Sequence, residues 1–212
     1  MGPDAMDFRK VLLEELASHA YQYRPERPFT LASGATSDEY LDCKLALSHA
    51  RAMAAVGPVV LDALADGVVA IGGLTMGSDP IAMSTCQASA GTGREVRWFS
   101  VRKDAKGHGQ QKLIEGHVEK GQRVAVVDDV VTSGMSTIKA IRACRASGLD
   151  VAQVIVLVDR EQSDGLQNIR DEAGAGVPVM AILRKSEIKA EWQKRSDRPA
   201  SASSGRLPTA GS

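Results

Sequence analysis

The sequence predicts an α/β fold in which helices cover both faces of a doubly wound, mostly parallel sheet. From Gly67 onward, short runs rich in β-branched residues alternate with segments of helix length. The runs are GVVAIGGL, EVRWFSVR, RVAVVDDVV, DVAQVIVLVD and VPVMAILRK. Their nearly continuous apolar character is typical of strands that are buried on both faces of a parallel sheet. In such folds, ligands bind beyond the carboxyl ends of the strands.

Two N-terminal segments are predicted to be helices because their apolar residues recur near helical spacing. They cover residues 6–20 (MDFRKVLLEELASHA) and 50–66 (ARAMAAVGPVVLDALAD). Between them, PFTLASGATSDEYLDCKLAL alternates around a Ser-Gly-Ala-Thr-Ser turn signal, which predicts a hairpin or paired short strands. Further along, GMSTIKAIRACRASG places Ile138, Ala140 and Ile141 on one helical face and ends at Gly148.

The chain is predicted to form a single domain over residues 1–195. A chain of 212 residues with 43% hydrophobic content is long enough to bury a full core. Residues 196–212 are low in apolar content, so we expect a disordered tail there. Residues 103–121 are polar and rich in glycine, which predicts a long loop that is a functional lid or is mobile.

Charge balance and cysteine content exclude several classes of function. Lys plus Arg and Asp plus Glu each total 26, so no overall field attracts nucleic acid or an anionic membrane. Three widely spaced cysteines without a CxxC pair indicate a reduced intracellular setting and no zinc site. No apolar stretch approaches the roughly 18 residues of a membrane span, and the N-terminus lacks signal-peptide character, so we expect a soluble cytoplasmic protein.

Two adjacent carboxylates, Asp128 and Asp129, end an apolar run in the stretch VVDDVVTSGMST. Three interpretations compete for them. In the first, Asp129 or Thr132 caps the following helix and Asp128 is a solvated strand end. In the second, the two carboxylates form a metal site. In the third, the acids and the helix start bind different parts of one sugar phosphate.

The residues that follow the acids favour the sugar-phosphate interpretation. Thr132, Ser133 and Gly134 are small, and the N–H groups at a helix N-terminus carry partial positive charge that favours a phosphate monoester. Asp128 and Asp129 then suit ribose hydroxyls, because carboxylates accept hydrogen bonds. The stretch lacks the GxxxxGK[ST] pattern, so triphosphate hydrolysis of the P-loop kind is disfavoured.

The stretch VAVVDDVVTSG resembles the phosphoribosyl pyrophosphate (PRPP) signature of type I phosphoribosyltransferases. In that signature, four apolar residues, two acids and two more apolar residues precede Thr-Ser-Gly. The resemblance implies that Asp128 and Asp129 bind the 2- and 3-hydroxyls of the ribose. It also implies that the 5-phosphate is held by Thr132, Ser133, Gly134, Met135 and Ser136.

The segment VRKDAKGHG, residues 101–109, is similar to the mobile catalytic loop of orotate phosphoribosyltransferases. The matching positions are Arg102, Lys103, Lys106 and His108. FTLASGATSDEYLD is similar to the family's segment over the orotate site, and VDREQ places Arg160 at a base-pocket position. The resemblance covers the chain from about Phe29 to Arg160. It implies the type I fold, with an N-terminal helix and hairpin (about residues 1–48) forming a small hood over the base site and a core at about 49–195.

The basic loop also has a chemical rationale that is independent of the family. Pyrophosphate leaving C1 of the ribose carries concentrated negative charge, and cations aimed at that charge lower the barrier. Gly107 and Gly109 allow the loop to close and reopen. Histidine has an ordinary pKa of about 6.5, so His108 is suited to donate a proton to the leaving group. The alternative is a solvated basic loop with no catalytic role.

A glycine-rich turn and two side chains complete the predicted site. In AIGGLTMGSDPIA, Gly72 and Gly73 follow a strand and allow backbone N–H groups to approach a phosphate closely. In the family this loop handles the pyrophosphate, often with a lysine where this chain has Met76. Arg160 and Tyr40 are candidates for binding the orotate carboxylate and ring, and Tyr40 equally suits a packing role in the hairpin.

The resemblance implies transfer of the 5-phosphoribosyl group from PRPP to orotate, which gives orotidine 5'-monophosphate and pyrophosphate. It further implies Mg²⁺ held mainly by substrate oxygens and water, and a homodimer in which the basic loop reaches the neighbouring subunit's site. Two alternatives stay open, namely transfer to another base and a non-catalytic regulator that senses PRPP. The regulator is favoured by Ala32 and Met76, because many relatives carry lysine at these positions.

Overall fold

A six-stranded sheet forms the centre of the protein. The structure is a computed structural model that describes residues 6–30, 34, 36–104, 113–162 and 164–197. The helices are α1 (Phe8–His19), α2 (Cys43–Leu47), α3 (Ala50–Ala63), α4 (Asp79–Ser89), α5 (Met135–Ala146), α6 (Gly165–Ala173) and α7 (Lys185–Ser196). The strands are β1 (Tyr21–Tyr23), β2 (Phe29–Thr30), β3 (Thr36–Ser37), β4 (Glu39–Leu41), β5 (Ala70–Leu74), β6 (Arg97–Val101), β7 (Ile114–Gly116), β8 (Arg123–Val131), β9 (Asp150–Asp159) and β10 (Val179–Arg184).

The central sheet has the strand order β10-β9-β8-β5-β6-β7. Every neighbouring pair is parallel except β6 and β7, which are antiparallel. The prediction of a mostly parallel, doubly wound sheet is therefore confirmed, and each of the five apolar runs contains one of its strands. The antiparallel edge strand β7 lies inside residues 103–121, where the sequence predicted a loop throughout. That strand is only three residues long, too short for its alternation to stand out from a polar segment.

Helices cover both faces of the sheet, and the side chains of β8 show the division. Val124 and Val126 pack in the cluster that includes α5 and α6, whereas Ala125 and Val127 pack in the cluster that includes α1, α3 and α4. All four are fully buried. Each of the three fully buried valine side chains contributes roughly 1.5–3 kcal/mol relative to an exposed one. This alternation carries the next two residues, the acidic pair, toward opposite faces.

The N-terminal segment forms two small antiparallel sheets and a short helix. Strand β2 pairs with β3, which confirms a hairpin around the predicted turn, while β4 pairs with β1. The end of the predicted strand region is instead α2. Asp42 begins this helix, because its side chain accepts a hydrogen bond from the Lys44 N–H at 3.1 Å. The capping carboxylate thus decides the local structure where the apolar pattern was ambiguous.

A charged cluster attaches β4 to the C-terminal helix. The Glu39 carboxylate accepts hydrogen bonds from Lys185 Nζ at 2.7 Å, from Lys189 Nζ at 2.6 Å and from the Tyr21 hydroxyl at 2.9 Å. Burial alone raises the pKa of Glu39, but the bonds from the two lysines outweigh it and lower the pKa to about 2. Helix α1 packs against α3 and α7, so both ends of the described chain meet beside this cluster.

Three further sequence expectations concern the cysteines, membrane-spanning helices and the C-terminal tail. Cys43, Cys86 and Cys144 are all free thiols. Within the described residues, no helix has the length and apolar character needed to cross a membrane. Helix α7 extends to Ser196, which the sequence placed at the start of the tail, and the predicted tail residues from 198 onward lie outside the described ones.

Candidate active site

Most of the predicted site residues lie near the carboxyl ends of the parallel strands, along one edge of the sheet. Strands β5, β6, β8 and β9 are parallel, so their carboxyl ends point the same way. The acidic pair lies near the end of β8, the glycine-containing turn follows β5, Arg102 follows β6 and Arg160 follows β9. This is the edge at which open α/β sheets bind their ligands.

The acidic pair lies within β8 rather than after it, because Val130 and Val131 continue the pairing with β9. Asp128 and Asp129 are only 5% and 8% exposed, so the interpretation of Asp128 as a solvated strand end is wrong. The backbone N–H of the following residue ties one oxygen of each carboxylate. Asp129 N–H donates to Asp128 Oδ1 at 3.0 Å, and Val130 N–H donates to Asp129 Oδ1 at 2.9 Å.

The second oxygen of each carboxylate has a different side-chain partner. The Thr137 hydroxyl, on α5, donates to Asp128 Oδ2 at 2.8 Å. Lys44 Nζ, on α2, donates to Asp129 Oδ2 at 3.2 Å. Buried polar groups require such partners. The two acids are therefore held from opposite faces of the sheet, one by a neutral hydroxyl and the other by a cation.

The electrostatics of the pair are unequal. Burial raises the pKa of Asp128 to about 7, and the adjacent charge of Asp129 acts in the same direction, whereas the hydrogen bond from Thr137 lowers it. For Lys44, partial burial lowers the pKa, but the attraction of Asp129 and Asp42 outweighs it and holds the pKa above its ordinary value. Among the described residues, Lys44 is thus a positively charged group beside two closely spaced acids.

The turn between β8 and α5 presents a helix N-terminus to the acidic pair. Gly134 begins α5 with φ of 80°, in the left-handed region that favours glycine. A Cβ atom there would also meet the Gly165 carbonyl oxygen at 2.8 Å, so both conformation and space require glycine. Met135 and Ser136 are exposed at the first turn, where backbone N–H groups have no intrahelical partner. Thr132 is half-buried and Ser133 is exposed.

The glycines of the β5 region occupy two different environments. Gly72 and Gly73 lie buried inside β5, not after it, and Cβ atoms there would meet the carbonyl oxygens of Phe99 and Val127. Their role in substrate binding stays a prediction. Gly77 lies in the turn itself, where a Cβ atom would come within 2.5 Å of Asp129 Oδ1. The turn therefore packs directly on the acidic pair.

The predicted basic loop is described only at its start. Arg102 follows β6, and its Nη1 donates to Glu115 Oε1 at 3.0 Å, while Lys103 is exposed. Lys106 and His108, like Gly107 and Gly109, lie outside the described residues. Arg102 and Lys103 are thus at the site edge of the sheet, and the catalytic roles of all four basic residues stay predictions.

Arg160 and Tyr40, the predicted base-site residues, are on different elements. Arg160 is 9% exposed, and its buried Nε has no hydrogen-bond partner among the described residues. A buried donor without a partner is unusual in a folded protein, and a bound acceptor would satisfy it. The half-buried Tyr40 ring stacks on Phe29 at a centroid distance of 5.1 Å, so it packs in the hairpin region. Binding of orotate by either residue stays a prediction.

Two residues that contact the acids were absent from the sequence-based site. Thr137 is the last residue of the stretch VVDDVVTSGMST, but nothing in the sequence indicated that its hydroxyl reaches back to Asp128. Lys44 lies 85 residues from Asp129, and only the packing of α2 against the sheet brings them together. Among the described residues, no group of three or more His, Cys, Asp or Glu side chains is placed to hold a metal ion.

Solved structures resemble this fold over most of its length. Orotate phosphoribosyltransferase from Mycobacterium tuberculosis H37Rv, in complex with Fe(III) dicitrate, has a TM-score of 0.73 and 35% identity, covering 85% of this chain and 98% of the other. The complex of the same enzyme with PRPP has a TM-score of 0.67 and 29% identity, covering 87% and 93%. The fold and the site define a type I phosphoribosyltransferase.

Sequence relatives narrow the class further. No family model matches the chain. The orotate phosphoribosyltransferase of Streptomyces coelicolor is 41% identical over 183 residues, which are 86% of this chain and 97% of the relative. The chain belongs to the orotate phosphoribosyltransferase family.

Proposed function

We propose that the protein transfers the phosphoribosyl group of PRPP to orotate, giving orotidine 5'-monophosphate and pyrophosphate in pyrimidine nucleotide synthesis. One observation carries this proposal: two buried, oriented carboxylates lie immediately before a glycine-led helix start at the ligand-binding edge of the sheet. Membership of the orotate phosphoribosyltransferase family identifies the acceptor base.

The acidic pair and the helix start divide PRPP between them. Asp128 and Asp129 accept hydrogen bonds from the ribose 2- and 3-hydroxyls, because ionised carboxylates are pure acceptors. The phosphate lies at the start of α5, where backbone N–H groups and partial positive charge favour an anion. Gly134 keeps this turn free of a side chain that would fill the space against α6. The ribose, and with it the reacting atom C1, is thereby held in a fixed position for attack by the base.

The basic loop acts on the pyrophosphate as it leaves C1. Arg102, Lys103, Lys106 and His108 stabilise the negative charge that develops on the leaving group while the ribose acquires oxocarbenium character. Transition-state stabilisation of this kind needs little covalent participation by the protein. The exposed Lys103 and the half-buried Arg102 at the end of β6 place the base of this loop beside the β5 turn.

We propose Mg²⁺ as the cofactor. Mg²⁺ prefers hard oxygen ligands, and the pyrophosphate and ribose oxygens together with water would provide most of them. The absence of a three-ligand cluster among the described residues is compatible with this division. When bound, the ion would neutralise part of the negative charge of the pyrophosphate. The protein's own residues orient the ribose and receive the base.

The base site is formed by Arg160 and Tyr40. The buried Nε of Arg160, which has no partner among the described residues, gives a donor for the orotate carboxylate, which a charge-assisted hydrogen bond would bind strongly. Tyr40 supplies an aromatic face from the small N-terminal sheets, whose strand β4 is fixed to α7 through Glu39. Residues 1–48 then act as the hood over a core at 49–195.

We also propose that the protein is a cytoplasmic homodimer in which the basic loop of one subunit reaches the site of the other. The family resemblance supports this arrangement, and the neutral overall charge argues against nucleic acid as a partner. Light scattering of the purified protein at micromolar concentration is expected to give the mass of two 22.5 kDa chains. A monomer under assay conditions would contradict the dimer but not the activity.

The activity is tested by mixing purified protein with orotate, PRPP and Mg²⁺ and following the loss of orotate absorbance. The expected result is absorbance loss that requires all components, stops when Mg²⁺ is chelated and is matched by pyrophosphate release. Absence of turnover with fully folded protein would contradict the proposal.

The same assay separates the two alternatives. A panel of purines and other pyrimidines would reveal transfer to a different base as PRPP consumption without orotate loss. A regulator would bind PRPP, detected by calorimetry, and release no pyrophosphate with any base. The regulator interpretation draws its support from Ala32 and Met76, whereas the set of four basic loop residues favours catalysis.

Replacing Gly77 with alanine is expected to weaken PRPP binding about tenfold or more, which corresponds to about 1.4 kcal/mol. The added Cβ would lie 2.5 Å from Asp129 Oδ1 and 3.3 Å from Asp128 Oδ1, so the carboxylates must move. Calorimetric titration with PRPP and Mg²⁺ measures the effect. Met76→Ala is the matched control, because it alters the exposed neighbour in the same turn without adding atoms. Equal dissociation constants for Gly77→Ala and wild type would contradict the predicted role of the pair.

A further inference from the structure

The acidic pair has one feature that its proposed substrate contacts do not explain: among the described residues, a cation contacts Asp129 but not Asp128. Lys44 Nζ lies 3.2 Å from Asp129 Oδ2 and 3.0 Å from Asp42 Oδ1. Asp128 has the Thr137 hydroxyl in the corresponding place. The ammonium group therefore bridges a carboxylate of the N-terminal segment to one of the central sheet.

The local structure delivers Lys44 to this position. Asp42 accepts the backbone N–H of Lys44 as the cap of α2 and also contacts its ammonium group. Cys43, Ala46 and Leu47 bury the opposite side of this short helix in the main core. The lysine is thus held at both its backbone and its Nζ. A long side chain that is fixed in this way loses less conformational freedom when it binds a partner than a free one would.

We propose that Lys44 is a positioning residue for the phosphoribosyl site, which holds the Asp129 carboxylate in the orientation that a ribose hydroxyl requires. The inference rests on the proposed function, in which Asp129 binds the ribose of PRPP. Lys44 acts through Asp129 and is not itself required to touch the substrate. It also gives the hood segment, residues 1–48, a direct contact with the PRPP site.

The geometry supports a role beyond that of a surface ion pair. Exposed pairs of this kind contribute little because water screens them. Here the Asp129 side chain is 11% exposed although that of Lys44 is 47% exposed, so the carboxylate end of the pair is shielded. With Lys44 removed, Asp129 Oδ2 loses its partner, and among the described residues only the Val130 N–H, which donates to Oδ1, still orients the carboxylate.

The test compares PRPP binding and steady-state kinetics in Lys44→Met, Lys44→Arg and wild type. Lys44→Met is expected to raise the Kd and the KM for PRPP about tenfold or more, because a hydrogen bond to a charged group is lost. The KM for orotate and the melting temperature should change little. Lys44→Arg keeps the charge and the donor, so its PRPP Kd should stay within about threefold of wild type.

Matched variants distinguish positioning from general effects. Lys120→Met removes one positive charge from an exposed residue before β8, at the amino ends of the parallel strands, and should leave the PRPP Kd unchanged. If Lys44→Met does not fold, Lys44→Gln takes its place; its side chain is uncharged and one atom shorter, so the charge-assisted bond to Asp129 is lost and the same increase in Kd is expected. A PRPP Kd for Lys44→Met within twofold of wild type, or equal increases in the KM for PRPP and orotate, would overturn the inference. Because the Kd is measured without orotate, a wild type that binds PRPP but does not consume orotate would contradict the proposed function and leave this comparison intact.

Discussion

Lys106→Ala is expected to lower kcat for orotidine monophosphate formation about 100-fold or more while leaving the fold intact. Removing one preorganised donor from the charge that develops in a transition state typically costs a factor of about 10²–10³ in kcat. Lys106 belongs to the predicted basic loop that covers the departing pyrophosphate. Because its contribution arises mainly in the transition state, the KM for PRPP should change much less than kcat.

The control for this prediction is Lys120→Ala, which removes the same charge from an exposed site before β8. Its kcat should match that of wild type, and the circular dichroism of both variants should be unchanged. His108→Ala is expected to lower kcat in the same way as Lys106→Ala. If Lys106→Ala instead raised only the KM, the loop would be a ground-state binding element rather than a catalytic one.

Asp128→Asn is expected to reduce kcat/KM for PRPP about 100-fold, and at pH 8 to increase the free energy of unfolding. The loss of activity follows because a ribose hydroxyl meets an amide that donates where a carboxylate would accept. The gain in stability follows because the amide is not charged when it is buried. If the substitution stabilises the fold and also removes activity, then the Asp128 carboxylate serves the reaction and not the stability of the fold.

The pH dependence of stability gives this prediction its sign. The pKa of Asp128 is raised from 3.8 to about 7 in the folded protein, so the folded state retains the proton when the unfolded state has lost it. The contribution of Asp128 to the free energy of unfolding therefore falls as pH rises from about 4 through 7, and this destabilisation is complete above the folded pKa. At about 1.4 kcal/mol for each pH unit between the two pKa values, the loss is on the order of 4 kcal/mol.

Urea unfolding at pH 5 and pH 8 measures this effect. Wild type should lose more stability than Asp128→Asn between the two pH values, because the variant lacks the titrating carboxyl group. Thr137→Val should enlarge the wild-type trend, since the hydrogen bond from the Thr137 hydroxyl lowers the pKa of Asp128. Identical changes in wild type and Asp128→Asn would contradict the unequal electrostatics of the pair.

The sequence predicted the sheet and the acidic pair because both depend on local patterns. The β-branched runs around Ile71, Val126 and Val156 identify strands without any knowledge of their neighbours. The spacing between Asp129 and Gly134 identifies a strand end followed by a helix start in the same way. The sequence did not predict the end of β5 correctly. Gly72 was expected to follow the strand and lies within it, because nothing local distinguishes the last paired residue from the first residue of a turn.

The sequence did not predict contacts that form between distant segments. Lys44 meets Asp129 across 85 residues, and Lys185 meets Glu39 across 146 residues. Each contact depends on how a helix packs on the sheet, and residue types alone do not specify that packing. The short helix α2 was also not predicted, because five residues show too little of the helical periodicity.

A crystal structure of the protein with PRPP and Mg²⁺ tests the account most directly. The ribose hydroxyls are expected to donate to Asp128 and Asp129, and the 5-phosphate is expected to lie on the backbone N–H groups at the start of α5. Density for the phosphate at any other edge of the sheet, with both carboxylates still bonded only to Thr137, Lys44 and the backbone, would contradict it.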